Sequence, residues 1–243
     1  MSLLEVKNLS KSFGGLKAVS KVDFSIEGRE ILGLIGPNGA GKTTIFNLIS
    51  GTYRPDEGQV IFQGRDITGL RADEVCKSGL TRTFQITKPF LKLTVLENVM
   101  VGAYNRVNSR KEAAQEAREI LEETGFGRRA NALASTLTVA ERKRLELIRA
   151  LATRPTLLLL DEVMAGLNPA EVDEMIALVR KIRDDGLTLF IIEHVMRALM
   201  QISDHIIVLH HGERIAGGQP EEIAKNQRVI EAYLGEEYVL AKR

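Results

Sequence analysis

The chain has 243 residues, of which 44% are hydrophobic, and 33 basic against 32 acidic side chains leave a formal net charge of +1. That balance argues against a nucleic-acid-binding face, and a chain of this length can bury a full core as one domain with a subdomain. The single cysteine, Cys76, excludes an internal disulfide and suits a reducing compartment, and no apolar run approaches the ~18 residues of a membrane span.

The amino-terminal part of the chain, up to about residue 62, is predicted to form short strands. Apolar and polar residues alternate over 4–7 and 22–26, an apolar run follows over 31–35, and a further short run covers 59–62. This pattern predicts a mostly antiparallel β layer.

Residues 36–43 read Gly-Pro-Asn-Gly-Ala-Gly-Lys-Thr and lie between a strand-like run at 29–35 and a helix-like run at 43–49. Glycines let successive N–H groups turn toward phosphate oxygens, and the following helix presents its positive end to them. Lys42 supplies charge for the outer phosphates, and the Thr43 hydroxyl suits Mg²⁺. An ordinary glycine-rich loop is disfavoured because the whole pattern and both flanks agree. The predicted nucleotide-binding residues here are Gly36, Pro37, Asn38, Gly39, Ala40, Gly41, Lys42, Thr43 and Thr44.

From about residue 85 to residue 153 the pattern becomes helical. An amphipathic helix is predicted over 111–121, ending near Gly125. We interpret 85–153 as a helical subdomain inserted between the core segments 1–84 and 154–243. Near the end of the chain, residues 229–235 predict a short helix.

Four leucines at 157–160 predict a strand buried on both faces, and Asp161 and Glu162 follow it. Ligands in open α/β sheets bind beyond the carboxyl ends of the strands, so Asp161 is expected to face the glycine loop and to hold a water on Mg²⁺. Glu162 is then the candidate general base. A solvated strand end would be the better interpretation if the glycine loop were absent.

The order of these motifs resembles the ATP-binding subunits of ABC transporters along nearly the whole chain. The resemblance implies that Phe13 stacks on adenine, that Gln85 touches Mg²⁺ or water and links to the membrane partner, and that His194 contacts the terminal phosphate. The family's signature segment corresponds to 137–141, where Thr138 and Ala140 are expected to meet the nucleotide of an opposite subunit. The resemblance therefore implies catalytic roles for Glu162, His194, Gln85 and Lys42, and metal ligation by Thr43, Gln85 and Asp161.

This sequence departs from the family pattern in the signature segment. Val139 and Ala140 replace glycines, and Glu141 replaces glutamine. Ala140 is tolerable if its φ is negative, and Val139 must point away from the nucleotide. Glu141 brings negative charge toward the phosphates unless Arg142 or another cation offsets it.

The resemblance implies an α/β fold of the P-loop NTPase type in its ABC form, with a central, mostly parallel sheet, an antiparallel β subdomain and the inserted helices. It implies ATP and Mg²⁺ as cofactors and a second ATP-binding subunit, either a copy or a related chain. It further implies transmembrane permease subunits contacted around 87–90 and 93–96, an indirect substrate-binding protein, and a peripheral position on the cytoplasmic face of the cell membrane. His205, His210 and His211 lack metal-ligand spacing and are predicted to be structural.

The motifs at 13–16, 81–85, 165–169 and 192–194 most closely resemble branched-chain amino-acid importer ATPases, in the larger of their paired forms. Related chains serve urea, amides, aromatic acids or lipopolysaccharide export. A soluble ABC ATPase acting on ribosomes or DNA, and a switch that binds ATP without hydrolysing it, are the alternatives.

Overall fold

A computed structural model describes residues 2–83 and 89–240, with side chains up to residue 233. Within these residues ten strands form two sheets, and helices cover or connect them. The strands are β1 (Leu4–Phe13), β2 (Leu16–Ile26), β3 (Ile31–Ile35), β4 (Glu57–Phe62), β5 (Arg65–Asp66), β6 (Leu80–Arg82), β7 (Leu157–Asp161), β8 (Thr188–Ile192), β9 (His205–His210) and β10 (Glu213–Gly218). The helices are α1 (Lys42–Ile49), α2 (Ala72–Ser78), α3 (Val95–Ala103), α4 (Arg110–Glu123), α5 (Val139–Leu151), α6 (Pro169–Asp184), α7 (Met196–Ile202), α8 (Pro220–Ala224) and α9 (Gln227–Leu240).

The smaller sheet is antiparallel and has the order β2-β1-β4-β5. β1 and β2 are longer than the strands predicted at 4–7 and 22–26. The reason is that their pairing shifts register at several points along β1, so the buried positions do not alternate regularly and the sequence pattern fades. The predicted antiparallel β layer is confirmed for β1, β2 and β4, with corrected strand ends. The run at 31–35 was wrongly included in it, because β3 pairs in parallel with β8 and β9 in the larger sheet. Burial of every residue of β3 is typical of such a parallel strand.

The larger sheet has the order β10-β9-β3-β8-β7-β6, and the five strands from β9 to β6 are parallel. Every residue of β3, β7 and β8 is buried, as their unbroken apolar runs predict. The carboxyl ends of these three strands meet at one edge of the sheet. The segments that follow them carry most of the predicted site residues.

Three apolar clusters hold the layers together. The first lies between the two sheets and includes Phe46 of α1, whose ring is 4.8 Å from that of Phe190. The second lies on the opposite face of the parallel sheet, under α6 and α7. The third belongs to the helices between residues 95 and 152. The α/β architecture expected from the sequence is therefore confirmed.

The helical insertion packs on small and apolar residues of α4. Ala113, Ala117 and Leu121 are four residues apart and fully buried, which makes the amphipathic helix predicted at 111–121 correct. Gly125 has a φ of 66° just after the helix, a conformation that glycine adopts without strain. The division of the chain at residues 85 and 153 stays a prediction.

The carboxyl-terminal helix α9 is longer than the helix predicted at 229–235. None of the helices in the described parts of the chain has the length and apolar content needed to cross a membrane.

Candidate nucleotide site

The glycine loop joins β3 to α1. The Lys42 ammonium group folds back into this loop and donates hydrogen bonds to the carbonyl oxygens of Gly36 and Pro37, at 2.5 and 2.8 Å. Lys42 is only 6% exposed. The loop therefore holds a cation close to the amino end of α1, where the helix dipole favours an anion.

Two glycines are required because the loop runs against neighbouring backbone. Gly36 has a φ of 152°, and a Cβ there would lie 2.2 Å from the Leu209 carbonyl oxygen. Gly41 has a φ of 102°, and a Cβ there would lie 2.3 Å from the Ala18 carbonyl oxygen. A side chain at either position would force the loop away from β9 or β2.

Asp161 ends β7 and is buried beside Arg82 of β6. Arg82 Nη2 lies 2.7 Å from Asp161 Oδ2, and the two side chains are 7% and 0% exposed. Arg82 also donates to the Asn47 side chain of α1 and lies over the Phe46 ring, 5.7 Å from its centroid. Burial raises the pKa of Asp161, and the Arg82 guanidinium opposes that shift. The pair was not predicted.

Glu162 turns the chain sharply after β7. Its φ of 52° is uncommon outside glycine and costs about 1–2 kcal/mol. Its carboxylate Oε1 is 2.9 Å from His194 Nε2. Its N–H donates to the Ile192 carbonyl oxygen at 2.9 Å, and its own carbonyl oxygen accepts a hydrogen bond from Lys143 Nζ at 2.8 Å. The turn directs the carboxylate toward the histidine that follows β8.

Glu193 is a second carboxylate near the site, and its role is not predicted from the sequence. It is 1% exposed, and its Oε1 accepts a hydrogen bond from the Met164 N–H at 2.7 Å. Burial raises the pKa of Glu193 to about 7, against the effects of the Met164 N–H and of the Lys143 charge. Its signal in the sequence is an acid directly after the apolar run at 189–192, just as Asp161 follows the apolar run at 157–160.

One cavity of about 460 Å³ brings the separate motifs together. Phe13, residues 38–44, Glu162 and His194 all line it. Phe13 is 43% exposed and makes an edge-to-face contact with Tyr53, with ring centroids 5.4 Å apart. The stacking role of Phe13 stays a prediction.

The same cavity includes four residues that the sequence analysis did not place there. They come from β2 and from the turn after β9 and are Leu16, Lys17, Ala18 and His211. These residues reach the cavity because the turn after β9 is hydrogen-bonded to β2 and to the glycine loop. The Gly212 carbonyl oxygen accepts from the Ser20 N–H at 2.8 Å, and the Gly212 N–H donates to the Ala40 carbonyl oxygen at 3.0 Å. No local sequence pattern indicates that the turn after β9 contacts the glycine loop. For this reason the sequence predicts only a structural role for His211.

Thr138 caps α5, as expected for the signature segment. Its Oγ1 accepts from the Glu141 N–H at 3.2 Å, and Glu141 Oε2 accepts from the Thr138 N–H at 2.9 Å. The cation that offsets Glu141 is Arg129, whose Nε lies 2.7 Å from Glu141 Oε1, whereas Arg142 donates to the Ser135 carbonyl oxygen.

Ala140 is helical, and Val139 is 62% exposed. Thr138 and Ala140 do not line the cavity at the glycine loop of their own chain. Gln85 lies outside the described residues, as do residues 87 and 88 of the predicted permease contact at 87–90.

The residues at the glycine loop fit a magnesium nucleotide. Asp161 Oδ1 is buried and makes no hydrogen bond to any described residue, so this oxygen is open to a metal-bound water. Thr43 is exposed at the first turn of α1 and lines the same cavity as the Lys42 ammonium group. Hydroxyl and carboxylate oxygens are the ligands that Mg²⁺ prefers.

A family model described as "ABC transporter" matches residues 19–165, and the chain belongs to this family. Members of this family are ATPases coupled to transport, so the chain is an ABC ATPase. A second family model, described as "Branched-chain amino acid ATP-binding cassette transporter", matches residues 213–239.

Similar proteins cover almost the whole chain. It is 41% identical to the high-affinity branched-chain amino acid transport ATP-binding protein BraF of Pseudomonas aeruginosa, across 96% of this chain and 98% of the relative. The solved ADP conformation of MJ1267, an ATP-binding cassette of an ABC transporter, superposes with a TM-score of 0.89 at 31% identity, over 97% and 99% of the two chains. A dimeric post-hydrolysis state of the cassette MJ0796, bound to ADP and Pi, gives a TM-score of 0.78 at 27% identity over 89% and 98%.

Proposed function

We propose that this ABC ATPase powers the import of branched-chain amino acids or of closely related small molecules. The similarity to BraF over nearly the full length supports this cargo class, as does the second family match at the carboxyl end. The observation that carries the catalytic part is the 2.9 Å pair of Glu162 and His194, which lines one cavity with the glycine loop.

In the proposed reaction, Lys42 and the loop N–H groups hold the triphosphate, and Phe13 packs against the adenine. Thr43, Asp161 and Gln85 would hold Mg²⁺ directly or through water. When bound, the ion would neutralise charge on the phosphate oxygens.

Glu162 then accepts a proton from the attacking water as its oxygen bonds to the terminal phosphorus. The bond from that phosphorus to the bridging oxygen breaks, which yields ADP and phosphate. His194 orients the Glu162 carboxylate and contacts the terminal phosphate.

Thr138 and Ala140 are proposed to contact the nucleotide of a second ATP-binding subunit, either a copy of this chain or a related one. They begin α5, whose amino end favours an anion. Moving a two-state equilibrium from 1:99 to 99:1 takes about 5.5 kcal/mol, which roughly two to four hydrogen bonds to charged groups supply. ATP therefore closes the pair, and hydrolysis reopens it.

The permease is proposed to dock beside α3 on the cytoplasmic face of the membrane, with a substrate-binding protein acting on the other side. Phe90 and Leu91 are 49% and 47% exposed. Val101 of α3 and Tyr104, which directly follows that helix, are 42% and 44% exposed. Arg149 lies over the Phe90 ring, 5.7 Å from its centroid. These apolar side chains are available to an apolar partner surface.

Glu162→Gln tests the catalytic proposal. The variant is expected to bind ATP and to form a stable closed pair, while phosphate release falls by about 10²–10⁴-fold because the base is lost. Glu213→Gln, which changes an exposed residue at the start of β10, is the control. Unchanged phosphate release in Glu162→Gln removes Glu162 as the base.

The cargo is tested on the purified native complex, by comparing its uptake of leucine with its uptake of urea.

Two alternatives receive less support. The departures at Val139, Ala140 and Glu141 are the reason to consider a switch without hydrolysis. Arg129 pairs with the charge of Glu141, and Ala140 fits the first turn of α5. Lipopolysaccharide export is disfavoured by the branched-chain family match at 213–239.

A further inference from the structure

The segment that carries Glu162 is held by three contacts, two with the carboxyl end of β8 and one with α5. The Glu162 N–H donates to Ile192 of β8, the Glu162 carbonyl oxygen accepts from Lys143 of α5, and the Met164 N–H donates to the Glu193 carboxylate. We call these three contacts the loop clamp. Two of them depend on side chains, those of Lys143 and Glu193, and neither side chain lines the cavity at the glycine loop.

Within one chain, Lys143 connects the helix of the signature segment to the loop that carries Glu162. It is the fifth residue of α5, the helix that begins with the predicted signature segment. A shift of α5 would therefore move the hydrogen-bond donor that holds the Glu162 backbone. The strained φ of 52° at Glu162 needs such support, because an unsupported residue relaxes to negative φ.

We propose that Lys143 and Glu193 are positioning residues that hold the Glu162 loop in its catalytic geometry and transmit movement of the signature helix to it within the same subunit. This inference rests on the proposed role of Glu162 as the base.

The charges around the clamp are consistent with this role. Lys143 faces Glu193, Glu162 and Glu146, and its burial lowers the pKa of the ammonium group while these three carboxylates oppose the shift. Glu193 faces Lys143 and Glu162, and Glu162 contacts His194. Charge-assisted hydrogen bonds are the stronger ones, so an ionised Glu193 holds the Met164 N–H more firmly than a protonated one does.

The first test measures hydrogen exchange in the nucleotide-free full-length chain. Lys143→Met is expected to speed amide exchange over 162–167 at least tenfold, whereas Lys143→Arg, which keeps a donor, stays close to wild type. Exchange over the glycine loop at 36–43 should not change. Lys181→Met removes an exposed lysine of α6 and serves as the control.

The second test measures turnover in the purified transporter complex. Lys143→Met is expected to lower kcat by about 10–100-fold with an unchanged KM for ATP, because the base is displaced while the phosphate loop is intact. Affinity for ADP, measured by calorimetry, should stay within about twofold of wild type. Equal exchange and equal kcat in Lys143→Met and Lys181→Met would overturn the proposal.

Glu193→Gln is a third, independent test of the loop clamp, and it does not depend on whether the Lys143 variants fold. Its amide oxygen can still accept from the Met164 N–H but carries no charge. The wild-type kcat is expected to rise across a step near pH 7 that this variant lacks, and identical pH profiles would overturn the role of Glu193. Faster exchange in Lys143→Met, together with normal turnover in Glu162→Gln, would support the role of Lys143 in holding the loop and would reject only the role of Glu162 as the base.

Discussion

Replacing Arg82 with methionine leaves the buried Asp161 carboxylate without its cation. Both side chains of this pair are almost fully buried, and their nitrogen and oxygen are 2.7 Å apart. Removing one partner of such a pair costs about 3–5 kcal/mol, a large part of the 5–15 kcal/mol that stabilises a typical protein. Methionine keeps much of the contact with the Phe46 ring, so most of the loss comes from the uncompensated charge.

The measurement is the free energy of unfolding of four proteins in urea: wild type, Arg82→Met, Asp161→Asn and the double variant. The double variant is expected to regain about 2 kcal/mol or more over Arg82→Met, because no buried charge remains. The Tm of Arg82→Met should fall by about 6–20 °C.

Arg197→Met is the control for this series. It removes an exposed arginine from a surface ion pair and should cost less than about 1 kcal/mol. If Arg82→Met is as stable as this control, or if adding Asp161→Asn restores no stability, the cost does not come from an uncompensated buried charge.

Gly41→Ala is expected to lower affinity for ADP at least tenfold, because its Cβ would lie 2.3 Å from the Ala18 carbonyl oxygen at a φ of 102°. Gly28→Ala, where a Cβ meets nothing within 4 Å, is the matched control for calorimetry, and equal affinities would contradict the steric argument. Burial raises the pKa of Glu193 from 4.5 to about 7, so the folded protein binds the Glu193 proton more tightly than the unfolded chain does. The free energy of unfolding therefore falls as the pH rises from about 4.5 through about 7. Relative to wild type, Glu193→Gln should therefore gain on the order of 2–4 kcal/mol in free energy of unfolding between pH 4.5 and pH 8 in denaturant titrations, and a difference independent of pH would disprove it.

The parts of the fold that the sequence predicts are those whose pattern is local. The glycine loop, the apolar runs of β3, β7 and β8, and the stripe of α4 each carry their own periodicity or motif within about a dozen residues. The ends of β1 and β2 were predicted poorly because their register shifts interrupt the alternation.

The parts of the site that the sequence does not predict depend on contacts between distant segments. Arg82 meets Asp161 across 79 positions, and Lys143 of α5 reaches the backbone of Glu162 in the loop after β7. In the sequence these are ordinary charged residues with no spacing that marks them. Their burial and partners follow from sheet order and helix packing, which a single sequence does not specify.

The helices between residues 95 and 152 are anchored unequally. Leu147 and Ala150 of α5 pack with the core under the parallel sheet, while Leu145 and Ile148 of the same helix pack with α3 and α4. Helix α5 therefore packs in two apolar clusters, whereas α3 and α4 pack in one. Subglobal opening in native-state proteolysis should therefore release α3 and α4 at a lower free energy than α5, and the first nick would fall in the connection at 104–109.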